Sequence, residues 1–108
     1  MGQIKAKKVM VIGLDCATPQ LVFNQFTDVM PNTKKLMDSG LYGEFKSTIP
    51  PITTPAWMCM MSGKDPGTLG VYGFRNRKDH TYDGLSIANS AAIKEPLVWD
   101  VLGRSGKK

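Results

Sequence analysis

The segment Thr53-Thr54-Pro55 places two hydroxyl groups at the predicted start of a helix. Threonine before proline favours a helix start, and Gly63 favours its end. A helix N-terminus carries free backbone N–H groups and a partial positive charge, so it attracts phosphate and other oxyanions. A hydroxyl there can attack phosphorus once a metal ion lowers its pKa. The segment therefore predicts an oxyanion site with its own nucleophile.

Asp15 is the second residue with candidate chemistry, since it directly follows residues 8–14. That run is almost entirely apolar and predicts a buried parallel strand, whose carboxyl end is the edge where α/β sheets bind ligands. A carboxylate at that edge is a candidate metal ligand. A purely structural interpretation also fits, with Thr53 or Thr54 as a helix N-cap and Asp15 capping a turn. Two oxygen ligands are few for a divalent ion, so these residues alone favour the structural interpretation.

The elements that must position these residues alternate between strands and helices. The spacing of apolar residues, prolines and glycines predicts strands over 8–14 and 41–48, and helices over 19–29, 32–39, 53–62 and 96–102. Gly40 is expected in a left-handed conformation after the second helix. The third helix is apolar on nearly all sides, which predicts that it is buried. Residues 64–70 are expected to form a loop, and residues 71–83 an irregular stretch with a turn after it.

Composition excludes several classes of protein. Hydrophobic residues make up 42% of the 108 residues and charged residues 21%, as in soluble globular proteins. The longest apolar run, residues 9–14, is far shorter than the roughly 20 residues that span a bilayer. No signal peptide is evident, so a cytoplasmic protein without membrane contact is expected. Cys16 and Cys59 form no Cys-x-x-Cys pair and are expected to be reduced.

The net charge of +5 arises at the two ends of the chain. Without the six terminal basic residues, eight basic residues face nine acidic ones, a net charge of −1. The one internal basic cluster is residues 75–78. No nucleic-acid partner is therefore expected.

Six segments, in their order and spacing, resemble the type I phosphodiesterase/nucleotide pyrophosphatase family of the alkaline phosphatase superfamily. The similarity extends over roughly residues 9–106. Its segments are Val-Ile-Gly-Leu-Asp (11–15), Ala-Thr-Pro (17–19), Met-Pro-Asn (30–32), Leu-x-x-x-Gly (36–40), Ser-Thr-Ile-Pro-Pro-Ile-Thr-Thr-Pro-Ala-Trp (47–57) and Ser-Gly-Lys-Asp-Pro-Gly-Thr-Leu-Gly-Val-Tyr-Gly-Phe (62–74).

The resemblance implies an α/β fold, the N-terminal part of an alkaline-phosphatase-like α/β/α sandwich whose sheet is incomplete in this chain. It implies a hydrolase with two divalent metal ions, zinc or manganese, acting on a small phosphoester or nucleotide. In the family pattern the nucleophile lies two residues before the proline, which is Thr53, and forms a phospho-threonine intermediate. Asp15 matches the first metal-ligand aspartate, and Thr53 is the second implied ligand in this chain.

The sequence departs from the family pattern in three places. Cys16 stands where glycine is common after the metal aspartate. Asn76 is close to the phosphate-binding asparagine but out of register, and is the candidate substrate-binding residue. Trp57 and Thr53 replace the arginine and cysteine of the related sulfatases, which argues against a sulfatase.

The remaining family ligands, two aspartates and three histidines, have no match here. Residues 1–108 are therefore expected to be the N-terminal portion of a single catalytic domain, inactive alone and able to self-associate through an unpaired sheet edge. The alternatives are a phosphomutase or phosphonate hydrolase of the same superfamily, or a non-catalytic binding module.

Overall fold

The computed structural model describes residues 8–107. They fall into two compact units, the first ending at Glu44 and the second beginning at Phe45. No helix in this part of the chain is long and apolar enough to cross a membrane.

The first unit contains short helices. The helix predicted over 19–29 is present as two pieces, a π-helix Gln20–Gln25 and a 3-10 helix Thr27–Val29. The break lies at Phe26, whose backbone has left the helical region and whose N–H donates to the carbonyl of Leu21 five residues earlier, at 2.9 Å. This hydrogen bond between residues five apart, typical of a π-helix, replaces the bond between residues four apart of an α-helix.

Helix α1 (Pro31–Ser39) confirms the second predicted helix and begins one residue earlier. The left-handed conformation predicted for Gly40 is wrong, since its backbone is extended (φ −131°, ψ −162°). The Ser39 hydroxyl donates to the carbonyl of Lys35 at 2.8 Å. The same hydroxyl lies 3.5 Å from the carbonyl of Leu36, one of the last four of the helix, so a side chain rather than a left-handed residue reaches the terminal carbonyls.

Neither predicted strand is formed, because residues 8–14 and 41–48 have no regular secondary structure. Val9 and Leu14 are 81% and 61% exposed, and Phe45 is 93% exposed. A strand depends on a neighbour for its backbone hydrogen bonds and on cover for its apolar side chains. Within residues 8–107 the sheet that forms is a hairpin of other residues, so these two stretches lack a paired strand there.

The first helix of the second unit is α2 (Thr53–Ser62), which confirms the predicted helix and its end at Gly63, a left-handed residue with φ 69°. The predicted loop that follows contains a short helix, α3 (Pro66–Leu69). Asp65 caps it, since its carboxylate accepts from the Thr68 N–H at 3.0 Å.

A β-hairpin begins in the stretch 71–83 that was expected to be irregular, and its second strand follows that stretch. Strands β1 (Arg75–Arg77) and β2 (Leu85–Ile87) pair antiparallel around the predicted turn. Each has only three residues, and in both the middle residue is half-buried between two exposed ones. A 3-10 helix (Ser90–Ala92) follows, and the chain continues to helix α4 (Val98–Arg104). Helix α4 begins later than predicted and passes through the glycine expected to end it.

Little of the described chain is buried. Its buried apolar side chains are Pro55, Leu69 and Val71. The prediction that α2 is buried on all sides is wrong, since Met60 on that helix is 52% exposed. The other residues of α2 are half-buried or buried. The described part is thus a mixture of helices with a two-stranded antiparallel sheet, compatible with a fragment of an α/β protein.

Candidate functional site

The N-terminus of α2 has two backbone donors without a partner. Helix α2 is preceded by Ile52 in an extended conformation and has no side-chain cap. The Ala56 N–H donates to the carbonyl of Ile52 at 3.1 Å, and Pro55 has no N–H. Within the described residues, the N–H groups of Thr53 and Thr54 make no hydrogen bond. The interpretation of either threonine as an N-cap is therefore wrong, because both lie inside the helix.

The two threonines have different surroundings. Both are half-buried. The side chain of Thr54 lines an apolar cavity of about 250 Å³ together with Met58, Val71 and Trp99. Thr53 is not among the residues that line this cavity. Successive side chains on a helix point about 100° apart. Thr54 therefore faces the cavity, whereas the Thr53 hydroxyl lies on another side of the helix start.

Sequence reasoning did not find this cavity. Its walls come from α2, from Val71, from residues before α4 such as Ile93, and from Trp99 on α4. These residues are far apart in the chain and share no local pattern. No sequence signal short of the folded structure could have joined them.

Asp15 lies in the first unit, in a turn at the end of the apolar stretch. It is exposed, and its carboxylate accepts from the Cys16 N–H at 3.1 Å. Cys16 has φ 61°, in the left-handed region that L side chains disfavour. This conformation is a physical reason for the glycine that the family resemblance leads one to expect at this position.

Asn76 lies on β1 in the second unit and is half-buried. Its side-chain oxygen accepts from the Tyr72 N–H at 2.8 Å, and its side-chain nitrogen donates to the carbonyl of Gly73 at 2.9 Å. These two bonds close the loop that precedes β1. One amide hydrogen is left for another acceptor.

A complete metal centre is not present in the described part of the chain. No group of three or more His, Cys, Asp or Glu side chains stands close together among residues 8–107. Asp15 and Thr53 have oxygen donors of the kind that divalent ions accept, but two donors are too few for such an ion. Asp15 belongs to the first unit and Thr53 to the second, so the surroundings of each residue are described separately.

One ionisable group on α2 has a shifted pKa. Burial, and to a smaller extent the negative charge of Asp65, raise the pKa of the Cys59 thiol. The raised pKa keeps Cys59 in its thiol form at neutral pH, which makes it a poor nucleophile.

The comparisons with known proteins gave one match. A family model described as "Type I phosphodiesterase / nucleotide pyrophosphatase" matches residues 9–108. Searches of curated proteins and of solved structures gave no match.

Proposed function

We propose that this chain, which belongs to the type I phosphodiesterase / nucleotide pyrophosphatase family, carries the nucleophile of a hydrolase that cleaves phosphodiester or pyrophosphate bonds. Thr53 is the proposed nucleophile. The observation that carries the proposal is the start of α2. Two free backbone N–H groups lie there beside the hydroxyl of Thr53, which does not line the apolar cavity.

The residues at the start of α2 suit the two parts of such a reaction. Phosphate oxygens would accept hydrogen bonds from the N–H groups of Thr53 and Thr54, assisted by the positive end of the helix dipole. The Thr53 oxygen would then form a bond to phosphorus as the bond to the leaving alcohol or phosphate breaks. The proton of the Thr53 hydroxyl would pass through water to the oxygen of the leaving group, which departs as the alcohol or phosphate. Water would hydrolyse the phospho-threonine and restore the hydroxyl.

The family is generally metal-dependent. We propose two divalent ions, zinc or manganese, with Asp15 and Thr53 as two of their ligands. Such ions lower the pKa of a bound hydroxyl and neutralise phosphate charge. Asp15 and Thr53 alone provide too few donors for two ions, so the proposal requires further ligands.

Asn76 is the proposed substrate-binding residue. Its side-chain amide holds the loop before β1 through two hydrogen bonds, and its free amide hydrogen is available to a phosphate oxygen. An Asn76→Asp variant keeps the acceptor for Tyr72, removes both amide hydrogens, including the one donated to Gly73, and adds a negative charge, so circular dichroism must first establish that it is folded. If Asn76 contacts substrate, this variant raises KM for an anionic phosphodiester.

We further propose that residues 1–108 are the N-terminal portion of one alkaline-phosphatase-like catalytic domain, in which residues 8–14 form a sheet strand. Support comes from the apolar side chains of this stretch, which are 61–84% exposed among the described residues and lack cover. We expect these 108 residues alone to be inactive, and the protein to be cytoplasmic. The mass of the protein from its native cell tests the first point, since a mass of 11.9 kDa would contradict it.

Self-association through a sheet edge is also proposed, and the edge of β2 suits it best. Leu85 and Ile87 on that strand are 57% and 77% exposed. Exposed apolar edge strands pair with other chains, and lysine on the edge prevents this. We expect concentration-dependent dimers in sedimentation velocity, and their loss in Leu85→Lys. A strictly monomeric unsubstituted chain at high concentration contradicts the proposal.

The nucleophile is tested by substituting the two threonines separately in the intact natural protein. Thr53→Ala should lower hydrolysis of bis(p-nitrophenyl) phosphate by at least about a thousandfold, because the covalent step is lost. Thr53→Ser keeps a hydroxyl and should retain measurable activity. Thr54→Ala is the matched control, and its activity should stay within about threefold of the unsubstituted protein.

Four outcomes separate the alternatives. Retained hydrolysis in Thr53→Ala refutes the assignment of the nucleophile. A phosphomutase would instead transfer the phosphoryl group to a second hydroxyl of its product, and a phosphonate hydrolase would cleave a carbon–phosphorus bond. If the protein shows none of these activities, with or without added metal ions, the result favours a binding module.

A further inference from the structure

The β-hairpin has one face that carries both positive charge and apolar surface. Arg75 pairs with Ile87 and Arg77 with Leu85, so these four side chains share a face. All four are exposed. The opposite face carries Asn76 and its partner across the sheet, which are half-buried. The outward face is thus a defined surface of two arginines and two aliphatic side chains.

The two arginines of this face lack carboxylate partners. Among residues 8–107, neither Arg75 nor Arg77 forms a salt bridge. The carboxylate of Asp79, in the same hairpin, instead accepts from both the N–H and the hydroxyl of Thr81 at 2.8 and 2.6 Å. The guanidinium of Arg77 lies 3.8 Å from the centre of the Tyr82 ring, which holds it in place without neutralising it.

The outer edge of β1 has backbone groups available for a further strand. Lys78 and Ala88 donate to the carbonyls of Gly84 and Phe74 across the hairpin, at 3.1 and 2.9 Å. Hydrogen-bonded positions alternate along an antiparallel pair. The backbone groups of residues 75 and 77 therefore point away from β2. Two-stranded hairpins are marginally stable, so a third strand would stabilise this one.

We propose that the outer edge of β1 binds an extended acidic peptide segment of a partner protein, which adds as a third strand. Residues two apart in a strand lie on one face, about 6.6 Å apart. Acidic residues at alternate positions of the added strand would therefore face Arg75 and Arg77. A second copy of this chain is a poor occupant, since antiparallel pairing of β1 with itself would place arginines opposite arginines.

The experiment measures binding of fluorescein-labelled Thr-Glu-Thr-Glu-Thr by anisotropy, with Thr-Lys-Thr-Lys-Thr as the comparison peptide. The unsubstituted protein should bind the glutamate peptide at least about tenfold more tightly than the lysine peptide, because opposite charges across strands attract. Arg75→Glu/Arg77→Glu should reverse this preference. Arg75→Lys/Arg77→Lys, which keeps the charge, should preserve it, and circular dichroism establishes that each variant is folded.

Two controls distinguish strand addition from general attraction of anions. Lys35→Glu/Arg104→Glu changes the net charge equally at other elements and should keep the preference. A glutamate peptide with N-methylated backbone amides on its pairing edge should bind at least about tenfold more weakly, since it cannot make the ladder. Equal binding of the methylated peptide overturns the proposal. Tighter binding of single-stranded oligothymidylate than of the peptide also overturns it, in favour of a nucleic-acid surface.

Discussion

Replacing Val71 with alanine should destabilise this protein far more than replacing Val9. Val71 is 2% exposed and lines the apolar cavity beside α2, whereas Val9 is 81% exposed. Both changes remove the same two methyl groups. The difference between the two losses in free energy of unfolding therefore measures the effect of burial.

The expected loss for Val71→Ala follows from its surroundings. Burying a methyl or methylene group contributes about 0.8 kcal/mol, so the two lost groups account for roughly 1.6 kcal/mol. The space left behind adds to the existing cavity and raises the loss to about 2 kcal/mol. In a chain of this size such a loss lowers Tm by roughly 10 °C. Val9→Ala should stay within about 0.5 kcal/mol.

Urea unfolding measures both values. Tryptophan fluorescence is a suitable probe, because Trp99 lines the same cavity as Val71. Equal losses for the two variants would refute the reasoning. A loss of about 2 kcal/mol in Val9→Ala would mean that residues 8–14 are packed, as the strand predicted from the sequence requires.

Three further predictions concern single residues. Cys16→Gly should stabilise the chain by up to about 1 kcal/mol in urea unfolding, because glycine adopts the left-handed backbone of this residue without strain. Hydrogen bonds from Thr68 hold the pKa of Asp65 below its usual value. The stabilisation from Asp65 is therefore present above the unfolded pKa of about 4 and lost as pH falls through the folded pKa. The urea midpoints at pH 7 and pH 3 should differ less in Asp65→Asn than in the unsubstituted chain, and an unchanged difference contradicts this. Iodoacetamide at pH 8 should modify exposed Cys16 at least about threefold faster than Cys59, whose pKa is raised by burial, as followed by peptide mass spectrometry. Faster modification of Cys59 would argue against its burial.

Helices α1 and α2 could be predicted from the sequence because their signals are local. Pro31 and Pro55 lie in their first turns, and the left-handed Gly63 ends α2. The candidate site followed from the same local signal, since the free N–H groups of Thr53 and Thr54 result from the helix start itself. The family membership was also predicted, because it rests on motifs that the sequence contains.

The strands could not be predicted in this way. Residues 8–14 have the composition of a buried strand, yet within the described chain they have no regular secondary structure and remain exposed. Polar residues with no strand pattern form β1 instead, because β2 supplies the hydrogen bonds that β1 needs. A strand forms only when it pairs with another strand, and the tertiary fold determines which strands meet.

The sequence by itself thus determined the positions of α1 and α2, the hydroxyl at the start of α2 and the family to which the chain belongs. Only the tertiary structure decided which of two adjacent threonines meets the apolar cavity. That cavity joins Met58 to Val71 and Trp99, residues brought together by packing. The physical reason is the range of the interactions: capping and dihedral preferences act within a few residues, whereas strand pairing and burial depend on contacts between distant parts of the chain.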